Sequence, residues 1–264
     1  MIEEGAAADT KALAKALVHP HPIKPQASVV IVAIDLRRVQ LVLVAGTEEP
    51  ESTVVPKDHR PGLVPAADLP SLLAVFNGGF MAKHGKFGMM VNGEEFLPSK
   101  DDGCLVAILD DGTIKISSPA ALDPIRTRIH SFRQTPPCLV EEGITHPKLP
   151  QEDTARLWGA AIGGNREIRR TALGLDASGT ILLFGIGEWI WARDLANAMK
   201  AAGAVSAAEL DINWSYTRFL LYNNASPPEV VSTLIEKVEY TKTGYVTKPV
   251  TRDFFYLKKK SGGT

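Results

Sequence analysis

The sequence predicts an α+β domain of mixed, largely antiparallel sheets covered by a few helices, and three observations carry that prediction. Short runs rich in β-branched and apolar residues recur along the chain, each bounded by turn formers. Two stretches carry strong hairpin signals, at Asn92-Gly93 within FGMMVNGEEFL and at Asp111-Gly112 within CLVAILDDGTIKI. Regular alternation of strand and helix, the mark of a parallel sheet, is missing, and no repeat is evident.

Taken in order, residues 9 to 18 carry Leu13, Ala16 and Leu17 at helical spacing, which predicts a short N-terminal helix. The prolines of HPHPIKP then break it, so residues 1–27 read as a helix and lead-in. His19 and His21 lie among those prolines without a carboxylate partner, as surface residues rather than metal ligands. From residue 28 the pattern becomes one of strands: SVVIVAIDL, VQLVLVAG and SLLAVF, then the two hairpins. A second set follows in PPCLVEEG, GAAIG, TALGLDASGTILLFGIG, AAELDI, RFLLYN and FFYL. In WARDLANAMKAAGA, Trp191, Leu195, Ala198, Met199 and Ala202 share one face, a helix that Gly203 is placed to end. A further helix is expected over PPEVVSTLIEKV, where Pro227 and Pro228 suit a helix start. Residues 28–260 are thus expected to form one domain, followed by a solvated tail.

Composition excludes several classes. The 264 residues carry 29 basic and 30 acidic side chains, net charge -1, so nothing points to nucleic acid. No apolar run approaches the ~20 residues that would cross a bilayer, and MIEEGAAADTKALAK has neither a basic nor an apolar leader segment. Two cysteines, Cys104 and Cys138, open apparent strands; a disulfide and two buried thiols are both open readings. Clustered metal ligands are missing, so neither a metal nor another cofactor is expected.

Three segments carry the candidate chemistry. In Phe76-Asn77-Gly78-Gly79-Phe80 the adjacent glycines can bend the backbone and present N–H groups to an anionic oxygen, and the Asn77 amide can donate and accept; the alternative is an ordinary turn. In Arg169-Arg170-Thr171 an arginine at a strand start can offer a planar fork to phosphate, with the Thr171 hydroxyl beside it. In Ala208-Glu209-Leu210-Asp211 strand alternation puts Glu209 and Asp211 on one face, where each would perturb the other's ionisation. His84 and Glu188 are weaker candidates beside glycine-bearing loops, and Trp189-Ile190-Trp191 could stack on a sugar or enter the core.

Together, FNGGF, the FGMMVNG hairpin, RQTPPCLVEEG, RRTALGLDASG and the helix followed by AAELD resemble the phosphodiester glycosidase family over residues 28 to 222. The resemblance implies hydrolysis of a sugar 1-phosphodiester at the sugar side. Asn77, Arg170 and Asp211 fall on the matching motif positions, and Glu209 is a possible catalytic partner. Gly78, Gly79, Thr171, Asn213, Ser215, Glu188 and His84 would contact substrate. It also implies a periplasmic or secreted location and a glycan or sugar-phosphate partner, with the oligomeric state left open.

One departure stands out. Where the family has Leu-Asp-Gly-Gly-Gly-Ser, this chain reads Leu210-Asp211-Ile212-Asn213-Trp214-Ser215. Ile212 and Trp214 resist positive φ, whereas Asn213 tolerates it. A domain that keeps the fold and binds a glycan or sugar phosphate without cutting it is therefore the alternative expectation.

Overall fold

The computed structural model describes residues 12–151, 155–160 and 163–260. In chain order the strands are β1 (Leu13–Val18), β2 (Ser28–Asp35), β3 (Val39–Val44), β4 (Leu72–Asn77), β5 (Met89–Val91), β6 (Glu94–Leu97), β7 (Cys104–Leu109), β8 (Ile114–Ser117) and β9 (Ile129–Thr135). They continue as β10 (Val140–Glu141), β11 (Ile144–Thr145), β12 (Ile168–Asp176), β13 (Ile181–Ile190), β14 (Ala204–Ile212), β15 (Phe219–Tyr222), β16 (Val230–Thr233) and β17 (Phe254–Lys259). The α-helices are α1 (Pro119–Leu122) and α2 (Ala192–Ala201).

Three sheets result. The first runs β1-β2-β13-β12-β14-β10-β11, the second β16-β15-β4-β17-β3 and the third β6-β5-β9-β7-β8. Every pairing between these strands is antiparallel, and among the described residues the parallel part of the expected mixture is reduced to an isolated bridge between Gly244 and Lys248. With about 40% strand against 14% helix, the molecule is also more β-rich than a balanced α+β description implies.

The inner faces of all three sheets meet in one core. Val32, Leu173, Phe184 and Leu210 of the first sheet join Phe76, Phe219 and Phe255 of the second and Met89, Val106 and Ile116 of the third. Phe76 stacks on Phe219 and Phe255, with ring centres 5.6 and 5.5 Å apart. The outer face of the first sheet is covered by α2, whose Leu195, Ala196, Ala198 and Met199 pack on Val29, Ile31 and Leu183. Because β2 is buried on both faces, SVVIVAID reads as a continuous apolar run rather than an alternating one. As expected, α2 ends just before Gly203. Its start is held by Asp194, whose carboxylate accepts from the Trp191 N–H at 3.0 Å.

The Asn92-Gly93 hairpin forms as predicted, with both residues at positive φ, 52° and 79°, as a two-residue turn of this hand requires. The Asp111-Gly112 turn joins β7 to β8. Cys104 and Cys138 form a disulfide with Cα atoms 4.7 Å apart, which resolves the open choice between bridge and thiols.

Two helical expectations fail. Residues 13–18 form β1, paired along its full length with β2, while residues 9–11 lie outside the described residues. An open edge of β2 offers a row of backbone hydrogen bonds that outweighs the weak helical preference of LAKALV. PPEVVSTLIEKV contains β16, an edge strand on β15, because the β-branched run Val230-Val231-Ser232-Thr233 fits a pleated surface better than a helix. The expected strand GAAIG is not found either: residues 159, 160 and 163 are not in a strand, and residues 161–162 lie outside the described residues.

Candidate active site

The site is organised by β12, which carries Arg169, Arg170 and Thr171 at its start and lies between β13 and β14. Each neighbour has a bulge there. On one side Ile168 pairs with Ile190 and Arg170 with Gly187, so Glu188 and Trp189 together oppose Arg169. On the other side Arg170 pairs with Ile212 and Ala172 with Glu209, so Leu210 and Asp211 together oppose Thr171. A bulge interrupts strict alternation and re-aims side chains. Cross-strand partners share a face, which puts Glu209 and Ile212 with Arg170 on one face, and Leu210 and Asp211 with Thr171 on the other.

This corrects the expectation that Glu209 and Asp211 share a face, and it separates Arg170 from Asp211. Arg170 is buried, and all five of its N–H groups are taken within the fold. They reach the carbonyls of Ile190 (3.2 Å), Trp158 (2.7 Å), Gly159 (3.2 Å) and Arg166 (3.0 Å), and Glu209 Oε1 (2.7 Å). It presents no free fork. Its partner Glu209 is wholly buried, and Oε2 of that carboxylate has no hydrogen-bond partner among the described residues. Burial pushes Glu209 up to about 7, against the opposing pull of Arg170.

The opposite face holds a different arginine. Arg252 donates to Asp211 Oδ2 at 2.5 Å and to the Gly79 carbonyl at 3.1 Å, and its guanidinium lies 4.4 Å from the Tyr216 ring centre. The buried Arg252 Nε has no acceptor among the described residues. Burial raises Asp211 to about 6; Arg252 and the Ile212 N–H pull it down, and the charge of Asp253 adds to the rise. A carboxyl balanced near neutrality beside a cation can exchange a proton at physiological pH.

The Asn77-Gly78-Gly79 turn adjoins this pair, but its N–H groups face inward. Gly78 N–H donates to the Asp253 carbonyl at 3.1 Å and Gly79 N–H to the Asp253 carboxylate at 2.9 Å. Asp253 is in turn paired with Arg133 at 2.8 Å, with both side chains fully buried. A Cβ on Gly78 would lie 2.0 Å from Asp253 Oδ2, and one on Gly79 2.8 Å from Arg133 Cζ. The two glycines are thus required by close packing on this ion pair, and the expected anion-cradling N–H groups are already occupied. Asn77 is buried and satisfied: its amide donates to Thr171 Oγ1 (2.9 Å) and accepts from the Arg218 N–H (3.1 Å). Thr171 in turn donates to the Asp211 carbonyl at 2.7 Å. Asn77, Thr171, Gly78 and Gly79 therefore fix the backbone around Asp211.

The remaining expected residues lie at the rim. Asn213 takes the tolerated left-handed conformation, φ 79°, and its N–H donates to the Arg169 carbonyl. Ser215 is exposed, with its carbonyl accepting from Arg218. Glu188, with its side chain 34% exposed, pairs with Arg169 through one carboxylate oxygen. His84 is exposed; desolvation lowers it, and the charges of Lys83 and Arg252 add to the shift. Arg252, Asp253 and Tyr216 escaped the sequence reading, and Arg169 entered it only as the neighbour of Arg170. A hint lay in Arg252-Asp253, an adjacent charge pair set against the apolar strand FFYL. Among the described residues no cluster of His, Cys, Asp and Glu could hold a metal ion.

Residues 71–223 match the sequence profile of the phosphodiester glycosidase family. No curated protein matches the sequence. Among solved structures, the fold is similar to the catalytic domain of zebrafish N-acetylglucosamine-1-phosphodiester alpha-N-acetylglucosaminidase, auto-inhibited by its pro-peptide, with a TM-score of 0.55 at 15% identity, covering 95% of this chain and 89% of that one. It is also similar to a hypothetical protein from Synechocystis, with a TM-score of 0.57 at 10% identity, covering 95% of this chain and 62% of that one. At such identities the structures speak for the fold alone. The profile match spans more than half of the sequence and includes Asn77, the paired bulges and Asp211, and on that ground the chain belongs to the phosphodiester glycosidase family.

Proposed function

We propose that this chain hydrolyses a sugar 1-phosphodiester within an envelope or extracellular glycan, cutting on the sugar side of the bridging oxygen. The observation that supports this most is the Asp211–Arg252 pair: a carboxyl raised to about 6, re-aimed by a bulge and held beside an arginine at the family's acidic position. In the reaction the C1–O bond breaks and its electron pair leaves with the oxygen on the phosphate, giving a phosphomonoester. Water supplies the new C1–O bond, and its proton passes to the Asp211 carboxylate, acting as general base. Arg252 faces the departing charge and stabilises it. Arg170 acts only through Glu209 and the backbone, as a positioning residue. The Cys104–Cys138 disulfide supports a periplasmic or secreted location, because such bridges persist in oxidising compartments.

A second reading has its own observation. Ile212-Asn213-Trp214 fills the place of the family's glycines, and the Gly78 and Gly79 N–H groups are occupied by Asp253, which favours a domain that binds the glycan without cutting it. Release of free sugar from an N-acetylglucosamine 1-phosphodiester decides between them. Hydrolysis should rise with pH through about 6 and level off above it, since the base form of Asp211 is the active one. Asp211→Asn should lower the rate by about 10²–10⁴. Turnover that survives Asp211→Asn rejects this site, and binding without turnover by the unaltered chain selects the second reading.

A further inference from the structure

Two large rings stand in solvent on the Asp211 face of the first sheet. Trp189 is 55% exposed and Trp214 37%, and their ring centres are 4.8 Å apart at an interplanar angle of 57°. Trp189 is held in a strained backbone conformation. Trp189 sits in the β13 bulge at φ 56°, a conformation bulky residues rarely adopt, and Trp214 follows Asn213 at φ 79°. Arg169 supports Trp214: its guanidinium lies 4.6 Å from the Trp214 ring centre, while the arginine is wholly buried and tied to Glu188 and the Lys237 carbonyl. Two exposed indoles in contact, one on strained backbone and the other over a buried cation, gain nothing for the core, and such strain clusters where ligands are clamped.

We propose that Trp189 and Trp214 form a sugar-stacking platform that takes a neutral pyranose unit flanking the reacting bond, so that the substrate is an oligosaccharide or polymer rather than an isolated sugar phosphate. The negative face of an indole attracts the weakly positive C–H hydrogens on the apolar face of a sugar ring. The half-exposed carboxylate of Glu188, next to Trp189 in the same bulge, is available to a sugar hydroxyl. The platform adjoins the proposed reacting centre along the chain. Trp214 lies three residues beyond Asp211, and Arg169 beneath it is two residues from Thr171, which donates to the Asp211 carbonyl. The bulk that replaces the family's glycine turn thereby gains a role, and the placement next to the scissile bond rests on the reading of Asp211 given above.

Calorimetric titration with neutral tetrasaccharides of N-acetylglucosamine, glucose and mannose tests the platform without any phosphate or turnover. At least one tetramer should bind saturably and its monosaccharide at least 10-fold more weakly. Trp189→Ala and Trp214→Ala should each weaken the tetramer at least 10-fold, with unchanged far-ultraviolet dichroism, and Trp189→Phe should restore part of the loss. Equal affinity in the alanine variants, or no binding of any of the three tetramers, overturns the proposal. So does light scattering that shows a dimer dissociated by Trp214→Ala, which would assign the rings to contact between copies. Tetramer binding in a chain without hydrolase activity leaves the platform standing and rejects only the catalytic reading.

Discussion

At the scale of single residues, two arginines differ in what they touch: Arg170 is sealed within the fold, and Arg252 lies beside Asp211. Arg170, the arginine to which the sequence resemblance points, has all five donors satisfied inside the protein, and it pairs with Glu209 and ties down four carbonyls. Removing one partner of a buried pair leaves an uncompensated charge, so Arg170→Ala should cost about 3–5 kcal/mol of stability in urea unfolding. Arg252 is partly exposed and bonds Asp211 directly. Arg252→Lys keeps a charge but not the fork. It should lower kcat on the phosphodiester by at least 10-fold while shifting the unfolding midpoint little. If the two variants exchange these effects, with Arg170→Ala inactive yet stable, the assignment of faces is wrong. The sequence could not separate the two roles, because the pattern of alternation that distinguishes faces is broken by bulges visible only once three strands are paired.

At the scale of elements, what was legible followed from local chemistry and what was not depended on neighbours. Asn92-Gly93 turns where it must because both residues tolerate positive φ. The face of α2 was readable because Leu195, Ala198 and Met199 recur at helical spacing. By contrast, LAKALV and VVST became strands only because β2 and β15 offered open edges. The Asp211 turn combines both cases. Asn213 was recognisable as the one residue of Ile212-Asn213-Trp214 able to take a left-handed conformation, and it does so at φ 79°. Asn213→Ala should therefore cost about 1–2 kcal/mol, the penalty of that conformation for an ordinary residue, whereas Asn213→Gly should be neutral or slightly stabilising. Chemical denaturation of the pair measures this, and equal stability of the two variants would mean that the turn relaxes away from positive φ.

At the scale of the whole molecule, three sheets closed on one core bury several carboxyls, and for two of them, Glu209 and Asp211, burial raises the pKa. For Glu209 the consequence for stability has a definite sign. Its folded value of about 7 lies above the ordinary 4.5, so the native state holds a proton that the unfolded chain releases. The stabilisation is therefore complete below about 4.5 and is lost as pH rises through about 7. Acidification from about pH 7.5 to 5 should stabilise the protein through this group by an amount on the order of 2 kcal/mol. Asp211, raised to about 6, acts in the same direction over a slightly lower range. His84 and His146, both lowered first by desolvation, act oppositely as pH falls, so the raw pH dependence mixes several groups. The difference between the unaltered chain and Glu209→Gln isolates one of them, because glutamine keeps the shape and cannot titrate. Thermal unfolding across that range should give a melting temperature that falls with rising pH more steeply in the unaltered chain than in Glu209→Gln. Parallel curves would show that Glu209 stays ionised throughout and that its ion pair with Arg170 fully offsets its burial.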